Sequence, residues 1–284
     1  MRYFIVDAFS QELFRGNPAG VCLLDAWLED EVMQRIAAEN NLSETAFSVR
    51  RENGSESADY DSGSVVCGSG SEKDSAHKCA YDLRWFTPVS EINLCGHATL
   101  ATAFIITRFV DQTVTEIAFY TKSGVLTVKK CGDAFEMDFP SWEPKPIPIT
   151  ALMEEAIGAC VLEAYLSRDM LLLVADEQTV RELDPDPALA AQLPDCFCVI
   201  ATAKGDEADF VSRVFVPNEG IFEDPVTGST HSTLIPFWAQ RLQKDRMESR
   251  QLSKRGGTLL CEYCGDRVKI SGQAVLYLQG EILV

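Results

Sequence analysis

The sequence has few basic residues for its length. It contains 25 lysine and arginine residues and 43 aspartate and glutamate residues, which gives a formal charge of −18. A chain this acidic is repelled by phosphate backbones and by anionic membrane surfaces, so we expect no nucleic-acid or membrane partner. A small anionic ligand stays possible, because local N–H groups and dipoles can outweigh distant, screened charge.

Several common signals of location and chemistry are also missing. No apolar run approaches the roughly 18–20 residues of a membrane span, and the first nine residues indicate a strand rather than a signal peptide. The Gly-rich phosphate loop, the dinucleotide fingerprint, the zinc-protease motif and the nucleophile elbow are absent. We therefore expect a cytoplasmic protein without cofactor or metal, whose 10 cysteines are reduced thiols.

The most informative stretch runs from Asn93 to Phe104 and places Cys95, Gly96 and His97 together. It follows an extended segment and continues as an apolar run to Val110. A helix that is apolar on every face is a buried one. Its first N–H groups have no intrahelical acceptor and the helix dipole is positive there, so this end suits a carboxylate or a phosphate.

A similar order of motifs occurs again further along the chain, which predicts a duplicated unit. The matching segments lie at a nearly constant offset: Gly96-His97 and Gly228-Ser229, Gly124-Val125-Leu126 and Gly257-Thr258-Leu259, Cys131-Gly132-Asp133 and Cys264-Gly265-Asp266. The length of 284 residues suits two domains. We expect one half at 1–115, which 275–284 would complete, and a second at 116–274, with a cleft between them. The alternative is a single domain with coincidental glycines.

Two residues near these motifs are candidates for acid–base chemistry. Glu44 begins a mostly apolar segment, where a partly desolvated carboxylate would suit general acid–base catalysis; the alternative is an exposed turn glutamate. His97 could exchange protons or hydrogen-bond a substrate, or it could be a capping or buried structural histidine.

Three further residues have two possible roles each. Asp224 and Ser229 precede the second predicted core helix and could act on a substrate or simply cap the helix. Cys95 could be a thiolate base at a helix start or a small buried apolar residue.

Residues 51–82 are rich in serine, glycine and acidic residues and predict a long surface loop. Cys67, His77 and Cys79 lie within it, but their spacing is too loose to predict a zinc site.

Taken together, the motifs resemble the PhzF-like family of the diaminopimelate epimerase-like fold. The segments that carry the resemblance are Val6–Phe9 with Gly16–Val21, Asn41–Phe47, Leu83–Pro88 with Leu94–Thr99, and Glu223–Ser229. They cover most of the chain in the expected order and specify the family better than the substrate.

The resemblance implies an α+β fold with two pseudo-symmetric halves, each a curled mixed sheet around a central helix, and an active site between them. It implies a homodimeric, cofactor-free isomerase similar to trans-2,3-dihydro-3-hydroxyanthranilate isomerase. Glu44 would move the proton, and His97, Asp224 and Ser229 would assist. The substrate-binding positions would be Ser43, Cys95, Gly96, Gly228 and Asn17.

The sequence departs from related two-thiol epimerases, because Asp224 stands where a second cysteine would be needed. An epimerase that uses Cys95 with a carboxylate stays an alternative. A protein that binds a small acid without transforming it is another.

Overall fold

The computed structural model describes residues 1–51, 77–194, 196–217 and 221–284. The fold is mixed α+β, with strands that pair in both directions in one large sheet and few helices. In these ranges no helix has the length and apolar character needed to cross a bilayer.

The elements occur along the chain in the following order. The strands are β1 (Arg2–Ala8), β2 (Asn17–Leu24), β3 (Glu44–Arg50), β4 (His77–Phe86), β5 (Glu91–Ile92), β6 (Val114–Thr121), β7 (Gly124–Cys131), β8 (Ala134–Pro140), β9 (Lys145–Ile147), β10 (Glu163–Leu166), β11 (Met170–Leu173), β12 (Val199–Lys204), β13 (Phe210–Phe215), β14 (Glu223–Asp224), β15 (Arg246–Gln251), β16 (Gly257–Cys264), β17 (Arg267–Gly272) and β18 (Ala274–Glu281). The helices are α1 (Asp30–Asn40), α2 (Gly96–Ile105), a π-helix (Ile106–Val110), α3 (Ala151–Ile157), α4 (Glu177–Glu182), α5 (Pro187–Ala190) and α6 (His231–Leu242).

The chain divides into two compact units. The first contains Met1–Val6, Ala19–Met137 and Leu276–Val284, and the second contains Asp7–Pro18 and Asp138–Val275. This division differs from the predicted boundary at 115/116. The reason is that β6 pairs with β4 and β7 pairs with both β6 and β8, so these hairpins stay in the first unit. Such non-local pairing leaves no mark in the local sequence.

The first unit is built on a mixed ladder. Strand β3 runs parallel to β2 and antiparallel to β4, which in turn runs parallel to β6. Helix α1 buries Met33, Ile36 and Ala37 against a cluster that includes Phe47 and Phe86. These three positions share one face of a 3.6-residue period, as an amphipathic helix requires.

Helix α2 is buried over its whole length, as its apolar composition predicts. Its threonines tolerate burial because their hydroxyl groups donate to carbonyl oxygens one turn earlier. The hydroxyl of Thr99 donates to the Cys95 carbonyl at 2.5 Å and that of Thr102 to the Ala98 carbonyl at 2.7 Å. The small residues Ala98 and Ala101 are fully buried in the helix.

The second unit has its own core and its own ladders. Strand β12 lies between β11, which is parallel to it, and β13, which is antiparallel. The core cluster includes Met153, Leu172, Val199 and Phe215. Side-chain oxygens at the N-caps start the three short helices α3, α4 and α5. Helix α6 is buried from His231 to Ala239 and continues through Pro236.

Each unit contains a hairpin with the repeated Cys-Gly-Asp turn. Gly132 has a φ of 64° between β7 and β8, and Gly265 has a φ of 78° between β16 and β17. Glycine adopts this left-handed conformation without a steric penalty. The repeated motif therefore has the same local structure twice, while the pseudo-symmetry of whole halves, each around a central helix, stays a prediction.

The segment predicted as a loop at 51–82 ends in a strand, and residues 52–76 of that prediction lie outside the described residues. Residues 77–82 belong to β4 and pair with both β3 and β6. His77 and Cys79 are therefore strand residues, whereas Cys67 lies outside the described residues. The described cysteines are all free thiols.

Candidate active site

Glu44 is placed by the turn that connects α1 to β3. Helix α1 ends at Asn40, and the C-cap residue Asn41 adopts a left-handed conformation with a φ of 49° that redirects the chain. Strand β3 then starts at Glu44, opposite Ala19 of β2. The Glu44 side chain is 17% exposed, so its carboxylate lies at the end of a buried strand and retains access to solvent.

The start of α2 brings two more reactive side chains to Glu44. Cys95 is the N-cap residue in an extended conformation, and Gly96 and His97 form the first turn. The Cys95 Sγ lies 3.5 Å from His97 Nδ1, and His97 Nε2 lies 3.0 Å from Glu44 Oε2. The predicted residues Glu44, Cys95 and His97 therefore form one cluster within the first unit.

The imidazole of His97 bridges the thiol and the carboxylate, and its environment favours the charged form. Burial opposes protonation of the ring, whereas the Cys95 sulfur and the Glu44 carboxylate favour it, and the pKa of His97 is raised well above its ordinary value. The 3.0 Å contact with Glu44 is not aligned as a hydrogen bond, so we describe it as an ion pair.

Cys95 is a thiol rather than a thiolate at neutral pH. Burial, and then the nearby Glu44 carboxylate, raise the pKa of Cys95 to about 11, against the opposing effect of His97. At neutral pH the charged partner of the His97 ring is therefore Glu44.

The same cluster has donor atoms that a metal ion could use. One atom each from Glu44, Cys95 and His97 lie within 4.8 Å of one another. Each ring nitrogen of His97 already faces a different neighbour, so an ion held by all three would displace one of these contacts. The absence of a metal stays a prediction.

Asp224 belongs to the second unit, where several hydrogen bonds hold its carboxylate. It lies in β14, opposite Val214. The Asn17 amide donates to its Oδ1 at 2.6 Å, and the Thr227 hydroxyl donates to its Oδ2 at 2.6 Å. The Gln251 amide donates to its backbone carbonyl at 2.7 Å. Asp224 is thus a strand residue held by side chains rather than a helix cap.

Asn17 is fully buried, and its amide nitrogen also donates to the Val226 carbonyl at 2.9 Å. Its contact with a substrate stays a prediction. The observed bonds give it a second role, which is to orient Asp224.

The turn before α6 differs slightly from the expected helix start. Gly228 and Ser229 lie in the turn, Thr230 is the N-cap residue, and the helix begins at His231. Ser229 is therefore not the cap. Its hydroxyl oxygen instead accepts a hydrogen bond from Arg168 Nη2 at 3.1 Å.

His231, in the first turn of α6, has the opposite character to His97. It is fully buried, with Nδ1 at 2.9 Å from the Thr227 carbonyl and Nε2 at 2.9 Å from the Ser249 hydroxyl. Burial lowers the pKa of His231 to about 4, so the ring is neutral near pH 7. The Thr227 carbonyl accepts a hydrogen bond from Nδ1–H of His231, and the ring has a structural role.

Of the remaining predicted positions, Ser43 is partly exposed in the turn before β3, and Gly96 and Gly228 are buried. A groove of about 570 Å³ elsewhere in the first unit is lined by residues such as Phe104, Arg108 and Lys130, and by none of the candidate residues. No recognisable motif precedes β11, so sequence reasoning missed Arg168.

Comparison with known proteins identifies the family of this chain. A family model described as phenazine biosynthesis-like protein matches residues 6–280. An uncharacterised isomerase of Pseudomonas aeruginosa is 46% identical over 279 residues, which is 98% of this chain and 97% of the relative. The crystal structure of a PhzF-family phenazine biosynthesis protein from Enterococcus faecalis superimposes with a TM-score of 0.88 at 44% identity, covering 100% of this chain and 99% of the other.

A more distant structure shares the fold alone. A hydroxyproline epimerase from Agrobacterium vitis has a TM-score of 0.59 at 12% identity, covering 99% of this chain and 91% of the other. The matched family model and the close relatives cover nearly the whole chain, and they confirm the resemblance that the motifs indicate. The chain belongs to the PhzF-type family of phenazine biosynthesis-like proteins.

Proposed function

We propose that the protein is a cofactor-independent isomerase that moves a proton on a small carboxylate-bearing substrate. The single observation that carries the proposal is the contact between Glu44 and the buried ring of His97, 3.0 Å apart at the end of β3 and the start of α2. Relatives that are named as isomerases and that match this chain over nearly its whole length support the reaction class.

In the proposed reaction Glu44 acts first as base and then as acid. A substrate C–H bond breaks, the electron pair stays on the substrate as an enolate-type anion, and the proton passes to Glu44. The proton that Glu44 holds exchanges with solvent, and Glu44 then donates a proton to form a C–H bond at another substrate carbon. The buried ring of His97 lies 3.0 Å from the Glu44 carboxylate and restricts its position, and a positioned base of this kind contributes about 10²- to 10⁴-fold to the rate.

The other predicted residues enter the proposal on the family resemblance. Asp224 and Ser229 would assist the reaction, and Gly96 and Gly228 would bind the substrate carboxylate. Ser43, Cys95 and Asn17 complete the proposed binding set. The resemblance also supports a homodimer in the cytoplasm. Analytical ultracentrifugation tests the dimer, and we expect a single species at twice the chain mass of 31.4 kDa.

One observation favours a second candidate, a thiol–carboxylate epimerase of an amino or hydroxy acid. The Cys95 sulfur lies 3.5 Å from the His97 ring, whose positive charge favours a thiolate at this position. The pKa of about 11 makes the thiolate scarce at neutral pH, so we rank this function below the isomerase.

Solvent exchange in D₂O tests the proposal. We expect the protein to isomerise trans-2,3-dihydro-3-hydroxyanthranilate or a related cyclic amino acid, and to carry solvent deuterium to a substrate carbon. Glu44→Gln should lower the rate about 10²- to 10⁴-fold. Glu91→Gln is a matched control, since both carboxylates are similarly shielded (17% and 16% exposed). Ligand binding without exchange at any carbon would instead indicate the non-catalytic binder, and full activity in Glu44→Gln would refute the proposal.

A further inference from the structure

A second built site lies around Arg168, in the turn between β10 and β11. Its guanidinium forms a two-pronged ion pair, or fork, with the next residue. Nε donates to Asp169 Oδ1 at 2.8 Å, and Nη2 donates to Asp169 Oδ2 at 2.7 Å. Asp169 is fully buried, whereas the Arg168 side chain is 29% exposed. A buried carboxylate therefore fixes a guanidinium that still reaches the surface.

The aromatic neighbours and the serine beside it restrict the guanidinium further. Its central carbon lies 4.6 Å from the ring centroid of Trp142 and 4.9 Å from that of Phe197, distances at which a cation is attracted to the ring face. Nη2 also donates to the Ser229 hydroxyl at 3.1 Å. Since that oxygen accepts from Arg168, its own proton is directed elsewhere and is available to a ligand.

Comparison with two other arginines shows what is special about Arg168. Arg213 forms the same fork on Glu223, and its Nη1 donates to the Leu183 carbonyl at 2.8 Å. Arg84 forks onto Glu91, and its Nη1 donates to Asp30 at 2.8 Å.

The Nη1 atom of Arg168, unlike that of Arg213 or Arg84, makes no hydrogen bond to any of the residues that the structure describes. The fork thus holds the guanidinium still, while one NH₂ group and the adjacent Ser229 hydroxyl face no acceptor of the described chain. Fixed donors without a protein acceptor are the arrangement by which arginine binds a carboxylate.

We propose that Arg168 is a specificity-determining residue that binds a ligand carboxylate together with Ser229. Asp169, Trp142 and Phe197 act as positioning residues for its guanidinium. The inference rests on the proposed function in one respect only, which is that the bound acid is the substrate. The binding itself belongs to the second unit and can be measured without turnover.

Matched pairs of acids and amides test the subsite. The wild-type protein and variants are titrated calorimetrically with anthranilate, benzoate and succinate, and with the corresponding amides. We expect the wild type to bind at least one acid more tightly than its amide, by about 10- to 100-fold, as charged hydrogen bonds provide. Arg168→Lys keeps the charge but loses the fork, and it should lose most of this preference.

Two variants separate binding from folding. Because removal of Arg168 alone leaves Asp169 buried without its partner, the double variant Arg168→Met/Asp169→Asn removes both charges and should retain a cooperative unfolding transition. Arg213→Lys, with a fork of the same construction, should lower the melting temperature and leave the acid preference intact.

The possible outcomes are distinct. A double variant that folds and still prefers the acid overturns the proposal, as does a wild type that binds no acid of the set more tightly than its amide. Glu44→Gln should keep the acid preference of the wild type. A failed exchange assay with an intact acid preference would therefore refute the proposed reaction and leave the carboxylate subsite standing.

Discussion

Replacing Glu44 by glutamine should destabilise the protein in a way that depends on pH. The substitution keeps the size of the side chain and removes its charge, so the buried His97 ring loses its charged partner. The pKa of His97 is raised in the folded state. A raised folded pKa contributes stability that is present below the unfolded value of about 6.5 and is lost as the pH rises through the folded value.

The magnitude follows from the contact that is removed. Breaking a fully buried ion pair costs about 3–5 kcal/mol, but Glu44 is 17% exposed and the ring can release its proton instead of remaining charged and unpaired. We therefore expect a smaller loss, similar to that of other charged polar contacts, of about 1.5–3 kcal/mol at pH 5.5–6.5. This corresponds to a fall of about 3–8 °C in melting temperature.

The assay is thermal and urea unfolding of wild type and variant between pH 5.5 and 10. The penalty should shrink toward zero above the raised pKa of His97, where the ring is neutral in both proteins. Glu91→Gln is the control, because Glu91 pairs with Arg84 and Lys122, whose charges persist through most of this range. A Glu44→Gln penalty that stays constant from pH 6 to pH 10, like that of the control, would refute the ion pair with a charged His97.

Three further predictions concern individual residues. His231 is neutral in the folded protein, with a pKa of about 4. A lowered histidine pKa contributes stability above pH 6.5 that is lost as the pH falls, so the wild type should lose about 3 kcal/mol of unfolding free energy relative to His231→Asn between pH 7 and pH 4. Equal acid sensitivity of the two proteins in urea titrations would contradict this. Leu100→Ala, in the buried helix α2, should cost about 2–5 kcal/mol in urea unfolding, whereas Leu283→Ala, at a residue 92% exposed, should change stability by less than about 0.5 kcal/mol. Iodoacetamide at pH 7.5 should label the exposed Cys131 about 10²-fold faster than Cys95, whose pKa is about 11; mass spectrometry that finds Cys95 labelled first would show that it is a thiolate.

The sequence predicted those features that depend on local pattern. The apolar run after Gly96 predicted a buried helix, and the repeated Cys-Gly-Asp motif predicted a local structure that occurs twice. The approach of Glu44 to His97 was expected only from the family resemblance. It depends on the register of β3 and on the turn at Asn41, which the residues around Glu44 do not specify on their own.

The features that the sequence did not predict arise from tertiary pairing. The unit boundary after Met137 depends on which strands β6 and β7 pair with, and composition does not indicate this. Arg168 and Asp169 are ordinary turn residues in the sequence. Their ion pair becomes evident only when the fold buries Asp169 and brings Trp142 and Ser229 to the guanidinium. The hydrogen bond from Asn17 to Asp224 likewise joins residues far apart in the chain.

A comparison of two variants tests the central claim most directly: the rate of deuterium transfer to substrate carbon in Glu44→Gln and in Cys95→Ser, measured by NMR on the same substrate. If Glu44 moves the proton, Glu44→Gln should lose about 10²- to 10⁴-fold, while Cys95→Ser should keep a rate within about tenfold of wild type. The reverse order, with exchange abolished by Cys95→Ser and retained in Glu44→Gln, would contradict the account and assign the chemistry to the thiol.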